Sequence, residues 1–398
     1  MRVFTSFQNI ALYLYCFLLG MENININISI FLVSVSKIAA ILYLISVIKY
    51  KYSCALNKHF TTPLILIIIW LTIVSLININ AYSSRIVDIE FMLNILLFIL
   101  ILNHTKRDPV VLEKGLLVFS LGIITVSILF FLGIGLEINQ DLRYTWFGAG
   151  HNEIGSKLAT ALIIIIMIKG RLKLGRSHLL LIAFMPLIFW LMLKTGSRTS
   201  VLILVASFSI WYFIKVFIER RGLVSSAVVT FFTLVFISLL LYVLMQSELS
   251  VSRFSKIFDG ESSLPLGGRL YLWHEFLSII QDNFIFGYGL SGADLQTYNF
   301  LGAIESPHNV IIEVMLYTGV IGLILYIIFM YRIMSASYWV YKYSGNFLPV
   351  LLLPTILGFH LTAQGLTEKI VWVLIAYIAG SYLYMKNKSK SHENSNCN

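Results

Sequence analysis

Three short polar groupings interrupt a chain that is otherwise almost unbroken apolar sequence: Thr195-Gly196-Ser197-Arg198-Thr199, Gly267-Gly268-Arg269-Leu270 with Trp273 behind it, and Ser306-Pro307-His308-Asn309. Arginine carries a fixed charge and a planar fork of donors that grips a phosphate in two-pronged fashion. Histidine can take up a proton near neutral pH, and Gly267 and Gly268 remove side chains where a backbone could approach a ligand closely. Together these types suit the binding of a phosphate-bearing group beside a base. A fourth grouping, His151-Asn152-Glu153, reads first as a helix opening with Asn152 as its N-cap. Each has a plainer alternative: Arg198 as a flanking residue that snorkels to head groups, Arg269 as a solvated charge, His308 as a capping or interfacial residue.

The elements that must position these residues follow from composition. Of 398 residues, 58% are hydrophobic and 12% charged, against roughly 25% charged in a soluble domain, and the mean hydropathy is +0.86. This predicts an all-α integral membrane protein, residues 1–398 forming a single polytopic domain. The net charge of +10 is spread between apolar runs, so it reads as a topology signal and not as a nucleic-acid surface. Cys16, Cys54 and Cys397 are far apart and odd in number, which supports neither a disulfide nor a metal site. Arg2 precedes an apolar run with no small-residue cleavage pattern, so an uncleaved first span is expected.

At about 20 apolar residues per crossing, about twelve spans are predicted: 7–22, 28–48, 63–80, 86–103, 110–134, 153–169, 178–194, 197–218, 224–246, 308–333, 346–364 and 369–386. Lys37, inside the second, must face protein or snorkel. Cations follow the even-numbered spans: Lys49, Lys51 and Lys58; Lys106 and Arg107; Lys169, Arg171, Lys173 and Arg176; Arg220 and Arg221; Arg332 and Lys342; Lys386, Lys388 and Lys390. The positive-inside rule then puts both termini in the cytoplasm, with 387–398 as a polar tail. The long loop 247–306, between spans nine and ten, carries Glu248, Asp259, Glu261, Glu275, Asp282, Asp294 and Glu305 and faces outward. Within it Leu270, Trp273, Leu277 and Ile280 have helical spacing. That helix lies either against the outer surface of the bundle or on a small core of the loop itself.

Every even-numbered span then starts at the outer face. The openings of spans six, eight and ten carry His151-Asn152, Ser197-Arg198 and Pro307-His308-Asn309, and helix N-termini attract anions through unpaired N–H groups and a partial positive charge. An anion at the outer surface is the expected ligand, with neither metal nor cofactor. His360, Glu368 and Lys369 default to structural roles. Gly287-Tyr288-Gly289-Leu290-Ser291-Gly292 fits G-x-G-x-x-G letter for letter, but that fingerprint has meaning only between a strand and a helix of a parallel sheet. These glycines instead predict a tight re-entry toward the membrane. No paired carboxylates and no Cys/His nucleophile pair stand out.

From Thr195-Gly196-Ser197-Arg198-Thr199, through Gly268-Arg269-Leu270 with Trp273 and Phe286-Gly287-Tyr288-Gly289, to His308-Asn309 leading a span with Gly319-Val320-Ile321-Gly322, residues 195 to 322 resemble the bacterial O-antigen polymerase and O-antigen ligase superfamily. The first half resembles it only in hydropathy and in Asn152. The resemblance implies a multi-pass enzyme of the bacterial inner membrane with one large periplasmic loop containing short helices. It implies metal-independent glycosyl transfer from a glycan on undecaprenyl pyrophosphate. Arg198 and Arg269 would hold the pyrophosphate and stabilise its charge as it leaves, and His308 would orient or deprotonate the acceptor hydroxyl. Asn309, Gly268, Trp273, Asn152 and His151 would bind substrate. A polymerase extends onto another lipid-linked repeat unit and a ligase transfers to lipid A core; the segments around Gly287 and His308 look closer to polymerases. Membrane lipid and a chain-length regulator protein are the further partners implied. A transporter or flippase is the competing class, but it would place binding residues near the bilayer midplane, on broken helices arranged in repeats.

Overall fold

Long apolar runs separated by short polar joints become a bundle of helices. The computed structural model describes residues 6–28, 31–48, 55–80, 83, 85, 88–138, 144–172, 174–218, 265–362 and 365–396. The expected ninth span, the loop up to residue 264, Arg220, Arg221, Lys49, Lys51, Lys173, Cys54 and Cys397 lie outside the described residues, as does the side chain of Arg269.

In chain order the helices are α1 (Ser6–Leu19), α2 (Val35–Ile48), α3 (Lys58–Ile77), α4 (Ile89–Thr105), α5 (Pro109–Phe131), α6 (His151–Leu172), α7 (Ser177–Ala183), α8 (Met185–Lys194) and α9 (Arg198–Phe213), which ends in a π turn, Ile214–Ile218. After the undescribed stretch come α10 (Pro265–Asp282), α11 (Gly289–Leu301), α12 (Val310–Ser344), α13 (Leu348–Leu351), α14 (Leu353–Thr362) and α15 (Lys369–Asn396). Among the described residues seven helical stretches are long and apolar enough to cross a membrane, and four shorter apolar helices accompany them. The protein is an all-α, multi-pass membrane protein. Large apolar side chains on the spanning helices, such as Ile69, Leu202, Ile324 and Ile327, are exposed on the outside of the bundle, where lipid would cover them.

Each expected span other than the ninth is met by helix; the seventh and eleventh are each two consecutive helices, α7 with α8 and α13 with α14, and the second and tenth differ further. The second does not begin at residue 28, because β1 (Asn25–Ile28) and β2 (Phe31–Ser34) pair as an antiparallel hairpin ahead of α2. Ile24-Asn25-Ile26-Asn27-Ile28 alternates with period two, a strand pattern. Lys37, just beyond, pairs with Glu90 of α4. A second short hairpin, β3 (Leu136–Ile138) with β4 (Tyr144–Trp146), joins α5 to α6.

The tenth span, α12, runs past residue 333 to Ser344 and is broken at Gly319, whose φ is 63° and ψ −162°. The groups freed by the break are satisfied from the turn between α10 and α11. Val320 N–H donates to the Phe284 carbonyl at 2.9 Å, and Tyr288 N–H donates to the Leu316 carbonyl at 2.9 Å. Trp70 of α3 donates its indole N–H to the Thr318 carbonyl at 3.0 Å. A side chain on Gly319 would collide with the Ile285 carbonyl, and one on Gly287 would collide with the Gly319 backbone. The re-entry expected at Gly287 is thus a glycine-on-glycine crossing with the broken helix.

The main core is centred on α15, where every residue from Ile370 to Ala379 is buried. Burial all round is the mark of a helix inside a bundle. A separate small core gathers Phe276, Ile279 and Ile280 of α10, Ala293 of α11, and Ile312 and Leu316 of α12, with Trp273 packed against it. The loop helix thus rests neither on a core of the loop alone nor flat on the bundle surface: its small core is shared with α12, the tenth span.

Candidate functional site

The starts of α6 and α9 are clamped together. Gly196, at φ 61°, turns the chain out of α8. Ser197 then caps α9, its hydroxyl accepting from Ser200 N–H at 3.4 Å and donating to Asn152 Oδ1 of α6 at 3.1 Å. Gly155, one turn into α6, has no side chain in the space that Ser197 fills. Arg198, the first residue of α9, is partly buried, as are His151 and Asn152. Side-chain oxygens of this kind satisfy the orphan N–H groups of a helix start.

The start of α12 is fixed differently. Asn309, 7% exposed, is its N-cap, with Oδ1 accepting from Ile311 N–H at 3.0 Å and Ile312 N–H at 3.5 Å. His308 is exposed and has φ 48°, a left-handed conformation that costs a non-glycine residue about 1–3 kcal/mol. Its N–H donates to Ser306 Oγ at 3.3 Å. Trp273 of α10 donates its indole N–H to the Pro307 carbonyl at 2.9 Å, which fastens the loop helix to the residue before the histidine. Gly268 and Arg269 are the fourth and fifth residues of α10, about one turn before Trp273. Gly267 and Gly268 are therefore helical, behind a favourably placed Pro265, and not an open approach ahead of the helix.

The predicted residues thus fall into two joined pairs of elements: Asn152 with Ser197 and Arg198, and Trp273 with Pro307, His308 and Asn309. Both pairs rest on α14 and the turn after it. Thr199 and Ile203 of α9 fill the space at Gly358, while Val310 of α12 and His360 fill that at Gly365. Arg198 and His308 each adjoin one of these seats.

Two further groups lie nearby; of their residues the sequence had singled out Glu153, at a helix opening, and Glu368 and Lys369, for structural roles, but not Glu22, Lys157 or Glu313. Glu22, Glu153 and Glu368 converge from three segments on Lys157 and Lys369. Lys157 Nζ lies 2.6 Å from Glu153, 3.0 Å from Glu22 and 3.9 Å from Glu368, and Lys369 pairs with Glu22. Three carboxylates so close resemble a metal-ligand set, but Lys157 and Lys369 already lie among them, and the cluster is an ion-pair network tying the end of α1 to α6 and α15. Burial raises the Glu22 carboxyl, yet Lys157 and Lys369 outweigh burial and hold it at about 2. At Glu368 burial and the nearby Glu153 prevail over the lysines, and its carboxyl is pushed well above the usual range. The second group surrounds Glu313, one turn into α12 from Asn309. Glu313 is 8% exposed and its Oε2 has no hydrogen-bond partner. With Asp88, Tyr317 and Tyr326 it lines a cavity of about 20 Å³, room for one water. The signal was an acid inside an apolar span, which is costly without a role.

The arrangement presents Arg198 at the start of α9, joined to the start of α6, and an exposed His308 ahead of the start of α12. Residues 182–327 match a family model described as O-antigen ligase; no curated protein matches the chain. The matched stretch includes Arg198, Arg269, Trp273, His308 and Asn309 and leaves out His151 and Asn152. Over residues 182–327, a little more than a third of its length, this multi-pass membrane protein is thus similar to the O-antigen ligase family.

Proposed function

We propose that the protein is an O-antigen polymerase, transferring a growing glycan from undecaprenyl pyrophosphate onto another lipid-linked repeat unit at the periplasmic face of the inner membrane. The observation that carries this is the position of the family match, which spans all three polar groupings. The Ser197–Asn152 and Trp273–Pro307 hydrogen bonds support it by fixing those groupings at helix starts. In this reading the starts of α6, α9 and α12 face the periplasm and both termini the cytoplasm.

The acceptor hydroxyl gives its proton to His308 as its oxygen bonds to the anomeric carbon. The bond from that carbon to the pyrophosphate oxygen breaks, and the electron pair leaves with the pyrophosphate. Arg198 and Arg269 hold the leaving group, and positioned cations in a water-poor site stabilise such developing charge. Asn152, His151, Gly268, Trp273 and Asn309 shape the donor and acceptor sites, and a chain-length regulator protein would act on the product. No step in this scheme is assigned to a metal.

The break in α12 is the feature that a transporter reading would seize on. Its freed backbone groups are bonded to the 284–288 turn, which favours the enzyme. The test is complementation of polymerase-null and ligase-null cells, read on lipopolysaccharide gels. Restoration of long ladders in the polymerase-null strain is expected; rescue of the ligase-null strain alone would make the protein a ligase.

A further inference from the structure

At the end of the bundle opposite these helix starts, α6 and α12 finish, α5 begins and α15 runs past a cavity of about 780 Å³. Its walls carry Arg171 of α6 and Lys386 and Lys388 of α15. Asp108 is the one carboxylate among the described residues lining it, and its Oδ1 is engaged in capping α5, accepting from Val110 N–H at 3.0 Å. Arg171 is built in place: its Nε and Nη2 each lie 2.9 Å from Oε1 of Glu113, which is wholly buried and also accepts from the Tyr377 hydroxyl at 3.0 Å. Ser381, also lining the cavity, is 4% exposed, and its hydroxyl has no hydrogen-bond partner. A buried hydroxyl left in this way costs free energy unless something satisfies it.

Two further properties narrow the occupant. Trp339 and Tyr343 of α12 and Tyr382 and Tyr384 of α15 also line the cavity, and such residues gather where spanning helices leave the hydrocarbon. The volume suits a molecule of tens of atoms and far exceeds a bare phosphate. Basic pockets between spanning helices at this depth suit anionic headgroups.

The geometry points to a binding site for the phosphate-bearing headgroup of an anionic phospholipid, held by Lys386 and Lys388, hydrogen-bonded by Ser381 and flanked by the aromatic rings. It is independent of the glycosyl-transfer site and stands whether the protein is a polymerase or a ligase.

The test uses full-length protein in detergent, titrated with phosphatidylglycerol, phosphatidylcholine or inorganic phosphate, with thermal stability and retained lipid in native mass spectra as readouts. Phosphatidylglycerol is expected to bind and stabilise, and phosphatidylcholine is not. K386E/K388E is expected to weaken phosphatidylglycerol binding roughly thirty-fold, from the loss of two cations near the headgroup. Ser381→Ala, a milder change that keeps the falsifying power if the double variant misfolds, is expected to weaken it about ten-fold. Inorganic phosphate that stabilises as well as phosphatidylglycerol would overturn the lipid assignment in favour of a free phosphate. Equal binding of both lipids, or unchanged binding in the variants, would overturn the site.

Discussion

Two sets of charged side chains meet at the end of the bundle where α6, α9, α12 and α15 begin, and they are held in opposite ways. In one, Lys157 and Lys369 lie between carboxylates from different segments, mostly out of water. In the other, Arg198 and His308 sit on helix starts whose caps, Ser197 and Asn309, turn their own oxygens to backbone N–H groups, and His308 remains exposed. The border is one peptide bond wide, since Asn152 belongs to the second set and Glu153 to the first. Charges closed on one another are committed to joining helices. The side chains set on capped helix starts are the ones that the glycosyl-transfer reading uses.

The sharpest way to test that division is to remove one group from each set. Under the glycosyl-transfer reading, Arg198→Ala, Arg269→Ala and His308→Ala should each reduce long-chain glycan by roughly a hundred-fold or more. Membrane abundance and melting temperature should stay near wild type, and normal ladders from all three would erase the functional side of the comparison. Glu22→Gln should do the reverse. It leaves two buried ammonium groups short of a carboxylate, a change that costs about 3–5 kcal/mol, read as a lower midpoint of unfolding in detergent; any activity lost should track the fraction unfolded.

A smaller effect is expected at the seam. Trp273→Phe keeps the ring in the local core but removes the hydrogen bond to the Pro307 carbonyl, worth about 1 kcal/mol, and should lower activity more than stability. The smallest is Glu368→Gln. Because burial and Glu153 push the Glu368 carboxyl up, its ionised form weakens the fold as pH rises past its ordinary value, and a neutral amide should cost less than about 1 kcal/mol near pH 7. Glu22 has the opposite sign: its contribution is complete above its ordinary value of 4.5 and is lost as pH falls toward about 2. Melting curves of the two variants against pH should therefore diverge in opposite directions from wild type, and parallel curves would show that the cluster does not act as a network.

The spans were legible because apolar length is a local property, but the caps were not: Asn152, expected to cap α6, lies inside it behind His151, Ser306 and Pro307 stand ahead of the true cap of α12, Asn309, and Ser197 caps α9. The hairpin at 25–34 was legible in its alternation but was outweighed by hydropathy, since isoleucine serves both patterns. The break in α12 was not readable from Gly319 alone, because the conformation is secured by Phe284 and Tyr288 in another element. The Glu22 cluster draws on positions 22, 153 and 368, and nothing local announces that three helix ends will meet. Around the candidate site, the helix starts near residues 151, 198 and 310 could be inferred; the fastening of Trp273 to Pro307 could not, because it depends on how α10 settles on its small core.

That small core also imposes an order of assembly. Phe276 and Ile280 leave the ribosome before Ile312 and Leu316, and Gly287 before the Gly319 that it crosses. α10 and α11 must therefore wait, half-covered, until the first segment of α12 arrives to close over them. In pulse-labelled cells α10 and α11 would gain resistance to protease only after the first segment of α12 has been made.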